Sequence, residues 1–259
     1  MRNLQLPGRS PVLAPNGMVS TSQPLSTAAG LHVLREGGNA LDAALAAVAV
    51  QCVVEPASTG IGGDCFCLYA PAGADEVIAI NGSGRAPLEI SADWLLAQGV
   101  DKIQQQSAHA VTMPTAVDAW VQLNRDHGSM PLDQLLKPAI GYAQDGFPVG
   151  QRSAFDFAGC LELLQGDEDA ANVFLKDGQT YQMGELLRQP NLAKTLTAIA
   201  EQGRDGFYKG WVAQDMLAKL TALGGRHIQA DLDAALATYV QPIKSQFRGY
   251  DVWECPPNG

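Results

Sequence analysis

Hydrophobic and polar positions separate most sharply between Gly37 and Tyr69. From Ala43 to Val54 the chain has no charged residue and only Gln51 is polar. A helix of that composition has no face suited to water, so the pattern predicts a central helix covered all round by other elements. Its many alanines let neighbouring backbones come close at little cost in helix propensity. Asn39 is placed to cap a helix that begins at Ala40, and Asp42 adds negative charge where the helix dipole is positive. Glu55-Pro56 ends it, because proline disfavours helix at the residue before it. The turn Gly60-Ile61-Gly62-Gly63-Asp64 leads into the apolar run Cys65 to Tyr69, whose length and aromatic content predict a buried strand. Helix, turn and strand are expected to form one packed unit.

The flanking pattern is that of a mixed fold. A loop with Pro7, Pro11 and Pro15 opens the chain, Met18 to Thr21 reads as a short strand, and Ser26 or Thr27 caps a helix through Glu36. Leu31 and Leu34 lie on one face of that helix, and Gly37 marks its end. Pro71 to Asp75 turns the Cys65 strand into a second one, Val77 to Ile80, which makes a hairpin. The loop Asn81-Gly82-Ser83-Gly84-Arg85-Ala86-Pro87 follows, able to bring backbone amides and one guanidinium close to a ligand. Ser91 caps a short helix holding Trp94 and Leu95, Ala108 to Met113 reads as a strand, and helices run from Pro114-Thr115 to about Asp126 and from Pro131 to Gln144. The second half is mainly helical, at about Ala154 to Leu164, Asn191 to Gln202 and Trp211 to Leu223, with a short piece after Asp231. Asp177-Gly178 and Gly224-Gly225 read as turns. Tyr239 to Phe247 and Asp251 to Cys255 are expected to be two strands joined at Arg248-Gly249-Tyr250. No fixed-period repeat occurs, which excludes a solenoid.

Composition narrows the partners. With 259 residues, 46% hydrophobic and 17% charged, the chain is that of a soluble globular protein. A net charge of −10 argues against nucleic acid and anionic membrane, which are held by clusters of Lys and Arg. Small molecules or peptides remain. Met1 to Ser10 lacks the apolar core of a secretory signal, so a cytoplasmic location is expected. Ala43 to Val54 is too short for a membrane span. An odd count of 5 cysteines fits reduced thiols better than a disulfide framework. Cys65 and Cys67 share one face of a strand, but no second Cys or His pair lies nearby, so they are read as structural thiols; neither a metal nor a cofactor is expected.

Few residues carry candidate chemistry. Gly60-x-Gly62-Gly63 lacks the Lys-Ser/Thr of a phosphate loop and precedes a strand, so it reads as a structural turn. Gly82-Ser83-Gly84 misses the spacing of a nucleophile elbow, because Asn81 and Arg85 stand where glycines should; Ser83 is not read as a nucleophile. His32, His109, His127 and His227 show no ligand spacing and are given surface or supporting roles. Arg85 differs. A lone cation among small residues is suited to hold a carboxylate through a bidentate pair, the alternative being an exposed or salt-bridged loop arginine.

Several segments together resemble a known family. Glu36-Gly37-Gly38-Asn39-Ala40-Leu41-Asp42-Ala43-Ala44, then Val53-Val54-Glu55-Pro56, then Gly60-Ile61-Gly62-Gly63-Asp64-x-Phe66-x-Leu68 follow the order seen in the N-terminal part of the gamma-glutamyltransferase (gamma-glutamyltranspeptidase) family of N-terminal-nucleophile hydrolases. Gly206-Phe207-Tyr208-Lys209-Gly210, Asp231-Leu232 with Tyr239, and Phe247-Arg248-Gly249-Tyr250 before Cys255-Pro256-Pro257-Asn258-Gly259 continue it. The resemblance implies an α+β fold: a helix-rich part of a four-layer αββα sandwich, incomplete at its C-terminus, with residues 1–259 forming a single large-subunit portion. It also implies hydrolysis or transfer of a gamma-glutamyl or related acyl group, as in glutathione metabolism, after autoprocessing.

The resemblance has two departures. The family holds the substrate's α-carboxylate with an arginine in a D-F-R-x-x-A-P loop. Counting back from Ala86-Pro87, that place is taken by Ser83, with Arg85 two residues later. Ser83 and Arg85 are therefore the candidate substrate-binding residues, and the acylases of the same fold come into range beside strict gamma-glutamyl enzymes. The family's nucleophile is a threonine freed by self-cleavage downstream of the Pro-Pro-x-Gly segment. No threonine of this chain sits in the G-D-T context, so no catalytic residue is assigned to it. The expected partners are a C-terminal, small-subunit part that carries the threonine and a small-molecule or peptide amide. The alternative is a non-catalytic degenerate product or a binding module that kept the loop.

Overall fold

The computed structural model describes residues 11–258; residues 1–10, with Pro7 of the expected loop, and residue 259 lie outside the described residues. The chain packs as two compact units, one built from residues up to Gly60 and from Gln134–Leu196, the other from Ile61–Asp133 and from Thr197 onward. The boundary after Gly60 falls inside the turn between the central helix and the Cys65 strand. Those two elements thus belong to different units, where one shared unit is expected.

Helix α1 (Pro24–Arg35) starts earlier than the Ser26 or Thr27 cap predicts. Gln23 is its N-cap and accepts from the Leu25 N–H, while Pro24 takes the first position, where a missing N–H costs nothing. Its buried face is Ser26, Ala29, Gly30 and Val33, not Leu31 and Leu34, which are half-buried. The small face admits α2 (Ala40–Val54), and Ser26 Oγ donates to the Ala47 carbonyl at 2.6 Å. Asn39 and Asp42 form a reciprocal capping box at the start of α2, with the Asp42 N–H on Asn39 Oδ1 at 2.9 Å and the Asn39 N–H on Asp42 Oδ2 at 3.0 Å. Cover is not complete. Ala40 and Ala44 are exposed and Val48 and Gln51 half-buried, and this stripe walls an open groove with the 16–21 segment, which is irregular and not the predicted strand.

Strands β1 (Cys65–Tyr69) and β2 (Ile78–Gly82) form the predicted antiparallel hairpin, with Cys65 opposite Gly82 and Tyr69 opposite Ile78. β1 is half-buried instead of buried. Ser91 caps α3 (Ala92–Ala97) through the Trp94 N–H. Ala108 to Met113 is not a strand: Ala108–Ala110 is a 3-10 turn, and the Met113 N–H goes to the Arg85 carbonyl at 2.8 Å and joins no ladder. Helices α4 (Ala116–His127) and α5 (Leu132–Asp145) lie where the apolar spacing puts them.

After β3 (Phe147–Pro148), the single helix expected to Leu164 is two, α6 (Gln151–Gly159) and α7 (Leu161–Gln165), broken at Cys160 after a glycine. Helix α8 (Glu168–Phe174) and the two-residue strands β4 (Leu175–Lys176), β5 (Gln179–Thr180) and β6 (Leu186–Leu187) are too short to leave a pattern in sequence. Then come α9 (Pro190–Gln202), α10 (Asp205–Tyr208), α11 (Gly210–Ala222) and α12 (Gln229–Asp233). The strand expected from Tyr239 is also two. β7 (Thr238–Val240) pairs with β2, Tyr239 opposite Ile80, before Gln241-Pro242 interrupts the ladder. β8 (Ile243–Phe247) then pairs with β9 (Tyr250–Glu254) across Arg248-Gly249, whose φ angles of 50° and 84° make the tight hairpin turn.

The second unit thus contains a three-stranded antiparallel sheet, β1-β2-β7, with α4 packed on β2, and the separate β8-β9 hairpin, and the fold is α+β. No helix among the described residues is long and apolar enough to cross a membrane.

Candidate functional site

The loop that leaves β2 borders a cavity of about 350 Å³ in the second unit. Asn81 bends the chain through an Asx turn, its Oδ1 accepting from the Ser83 N–H at 3.0 Å. Gly82 fits because α4 lies against it: a Cβ there would meet the Cys65 carbonyl at 2.9 Å and the Ala119 side chain at 3.2 Å. Thr115 Oγ1 donates to the Gly82 carbonyl. Gly84 has φ +73°, and a Cβ on it would meet the Met113 carbonyl at 1.9 Å, so only glycine serves. At the far end, the Leu88 N–H donates to Asp231 Oδ1 at 2.8 Å, while Asp231 Oδ2 accepts from the Ile228 N–H at 2.9 Å.

The segment after β9 closes a ring of side chains over the loop. Asn81 Nδ2 donates to Asn258 Oδ1 at 3.0 Å, and Asn258 Nδ2 donates to Ser83 Oγ at 2.9 Å. Cys255, 4% exposed, anchors that segment with its Sγ 3.9 Å from the Cys67 carbonyl. Burial, and then the neighbouring Cys255, push the Cys67 thiol up to about 11. It stays a neutral packing group near pH 7 and not a nucleophile.

The segment from Ala234 to Thr238, which adds to the lining, is held by an ion pair whose carboxylate is buried. Asp118, 1% exposed, accepts from Arg204 Nε at 2.8 Å on Oδ1, and from the Ala237 N–H at 2.7 Å and Gln122 Nε2 at 2.6 Å on Oδ2. Arg204 Nη2 reaches the carbonyls of Leu232 (3.0 Å), Asp233 (3.2 Å) and Ala235 (2.9 Å), and its guanidinium lies 4.4 Å from the centre of the Tyr208 ring. The Tyr208 hydroxyl accepts from the Asp118 N–H at 3.1 Å and donates to the Pro114 carbonyl at 2.8 Å. Burial holds that phenol far above its ordinary range, so it remains a hydrogen-bond donor at any working pH.

Ser83 and Arg85, the candidate substrate-binding residues, both line this cavity. Arg85 is exposed, and its guanidinium has no hydrogen-bond or ion-pair partner among the described residues. Of the histidines given surface or supporting roles, His227 is buried, 3% exposed, with its Nε2 2.8 Å from the Val111 carbonyl. Sequence reasoning missed Asp118, Arg204, Asp231 and Asn258 as parts of one site. Asp118 left a signal, a carboxylate inside the apolar Ala116-Val117-Asp118-Ala119-Trp120, but a first-turn acid also reads as a dipole partner. Among the described residues no group of His, Cys, Asp and Glu could hold a metal ion.

The chain is 35% identical to the glutathione hydrolase-like YwrD proenzyme of Bacillus subtilis over 95% of its own length and 47% of that protein's. Among solved structures, it superposes on a cephalosporin acylase from Bacillus halodurans with a TM-score of 0.92 and 37% identity, covering 99% of this chain and 49% of the other. On the Helicobacter pylori gamma-glutamyltranspeptidase the TM-score is 0.90 at 30% identity, covering 96% of this chain and 72% of the other. The chain spans about half the length of the curated relatives it matches. Residues 26–259 match the gamma-glutamyltranspeptidase family, and the chain belongs to it.

Proposed function

We propose that these residues form the substrate-holding part of an amide-cleaving or acyl-transferring enzyme, with the cavity beside Ser83 and Arg85 as its acyl pocket. The observation that carries this reading is Arg85. An exposed arginine on the lining of a cavity, without a partner among the described residues and on a loop fixed at both ends, is arranged for an anionic ligand group. The nucleophilic threonine would come from a C-terminal part of the family, and with it the chain would complete a four-layer αββα sandwich as a single large-subunit portion. The names of the relatives, a glutathione hydrolase-like proenzyme, a transpeptidase and an acylase, support amide substrates and leave the acyl group open.

Co-expression with a C-terminal part of the family tests the division of labour. Turnover of amide donors is expected only when both parts are present, and intact-mass spectrometry of this chain alone should show no processed species. Self-cleavage or turnover by the chain alone would overturn the assignment of the nucleophile to the other part.

A further inference from the structure

We infer that Asn16-Gly17 is a site of spontaneous deamidation through a cyclic succinimide, and that the fold withholds Asn81-Gly82, beside the cavity, from the same reaction. The inference is independent of what the cavity binds.

Asparagine precedes glycine at Asn16, Asn81 and Asn258. A glycine in that place has no Cβ to keep its backbone nitrogen away from the asparagine's side-chain amide. The reaction needs solvent water and nothing else. The Gly17 N–H gives its proton to water, the nitrogen attacks Asn16 Cγ, and the new C–N bond closes a five-membered ring. The Cγ–Nδ2 bond breaks, and ammonia leaves with a proton returned from water. A second water then opens the ring. Cleavage at the side-chain carbonyl gives aspartate, and cleavage at the main-chain carbonyl gives isoaspartate.

The structure separates the two described pairs. Asn16 and Gly17 are both exposed, in the irregular segment before α1. Neither the Asn16 side chain nor the Gly17 N–H has a hydrogen-bond partner among the described residues, so no bond has to open before the ring closes. A Cβ built on Gly17 would meet only the Leu34 side-chain tip, at 3.3 Å, so the backbone has room to turn.

Asn81 is tied at both ends of its amide. Its Oδ1 accepts from the Ser83 N–H at 3.0 Å and its Nδ2 donates to Asn258 Oδ1 at 3.0 Å. Gly82 is buried at the end of β2, with Thr115 Oγ1 on its carbonyl and the Cys65 carbonyl packed against its Cα. Attack on Asn81 would break both side-chain hydrogen bonds and lift Gly82 from β2. Asn258 is exposed, but Asn81 and Ser83 hold its amide, which places it between the other two. The product at Asn16 puts a carboxylate on the groove shared with Ala40, Ala44 and Val48 of α2, and isoaspartate also lengthens the main chain there by one methylene.

The full 259-residue chain would be held at pH 7 and sampled by peptide mapping that separates asparagine, aspartate and isoaspartate. In the folded chain Asn16 should convert at least about tenfold faster than Asn81, whose two side-chain hydrogen bonds must open first. In urea that unfolds the chain, the two rates should draw together. Gly17→Ala should slow conversion at Asn16 while leaving the fold intact. Equal rates at Asn16 and Asn81 in the folded chain would overturn the inference. A difference that persists unchanged in urea would overturn it too, because sequence neighbours and not the fold would then set the rates. Aspartate formed without isoaspartate would overturn the succinimide route.

Discussion

Two arginines of the second unit are used in opposite ways. Arg204 holds the backbone that carries part of the cavity lining, its guanidinium divided among the Asp118 carboxylate, three backbone carbonyls and the Tyr208 ring. Arg85 lies on the rim with no partner among the described residues. A half-buried guanidinium paired to a buried carboxylate and to carbonyls fixes backbone, and removing one partner leaves an uncompensated charge. One that is solvated and unpaired contributes little to folding and is free for a ligand. The difference separates a residue that fixes backbone from one that the proposed function gives to substrate, though both are arginines among glycines in sequence, Gly203-Arg204-Asp205-Gly206 and Gly82-Ser83-Gly84-Arg85.

The comparison can be broken most severely at Asp118. Asp118→Ala should strand Arg204 and release the Ala237 N–H, costing about 3 to 5 kcal/mol in a denaturant titration. A loss below about 1 kcal/mol would mean that the wall is held by other contacts. Gly84→Ala comes next. The left-handed conformation costs a side chain about 1 to 3 kcal/mol, and contact with the Met113 carbonyl adds to that, so the melting midpoint should fall clearly. An unchanged midpoint would show that the loop has room to shift.

A third arginine sharpens the contrast by being exposed yet paired. Arg125 Nε lies 2.7 Å from Asp126 Oδ1, and Tyr239 donates to Asp126 Oδ2 at 2.9 Å. Arg125 first, and then Tyr239, hold the Asp126 carboxyl at about 2 against its ordinary 3.8. A depressed carboxyl stabilises the fold above its unfolded value and loses that contribution as pH falls through the folded one. The loss should therefore fall between pH 3.8 and about 2, be small because the pair is solvated, and vanish in Asp126→Asn. An identical acid limb in that variant would argue against the pair. The smallest effect is expected at Arg85 itself, where Arg85→Ala should change stability by no more than about 0.5 kcal/mol.

What the sequence made legible was local. Asn39 with Asp42, Glu55-Pro56, Ser91 and the Pro71 turn each fix an element end through contacts a few residues away, and all lie where predicted. The loop Gly82 to Pro87 was also visible, because a lone cation among small residues stands out. The remainder depends on distant partners. Asp118 meets Arg204 and Ala237, Leu88 meets Asp231, and Ser83 meets Asn258, pairs that no periodicity can join. Met113 failed as a strand residue for the same reason, since its N–H is taken by the Arg85 carbonyl and not by a ladder.

The assignment of Arg85 to substrate is tested most directly by kcat/KM. Native and Arg85→Ala chains, each joined with a C-terminal part of the family, would be assayed on a carboxylate-bearing amide donor and on its neutral counterpart. The expected result is a loss of roughly ten- to a hundredfold confined to the carboxylate-bearing donor, with self-cleavage intact. Unchanged kcat/KM for both donors would contradict it and leave Arg85 an exposed loop arginine.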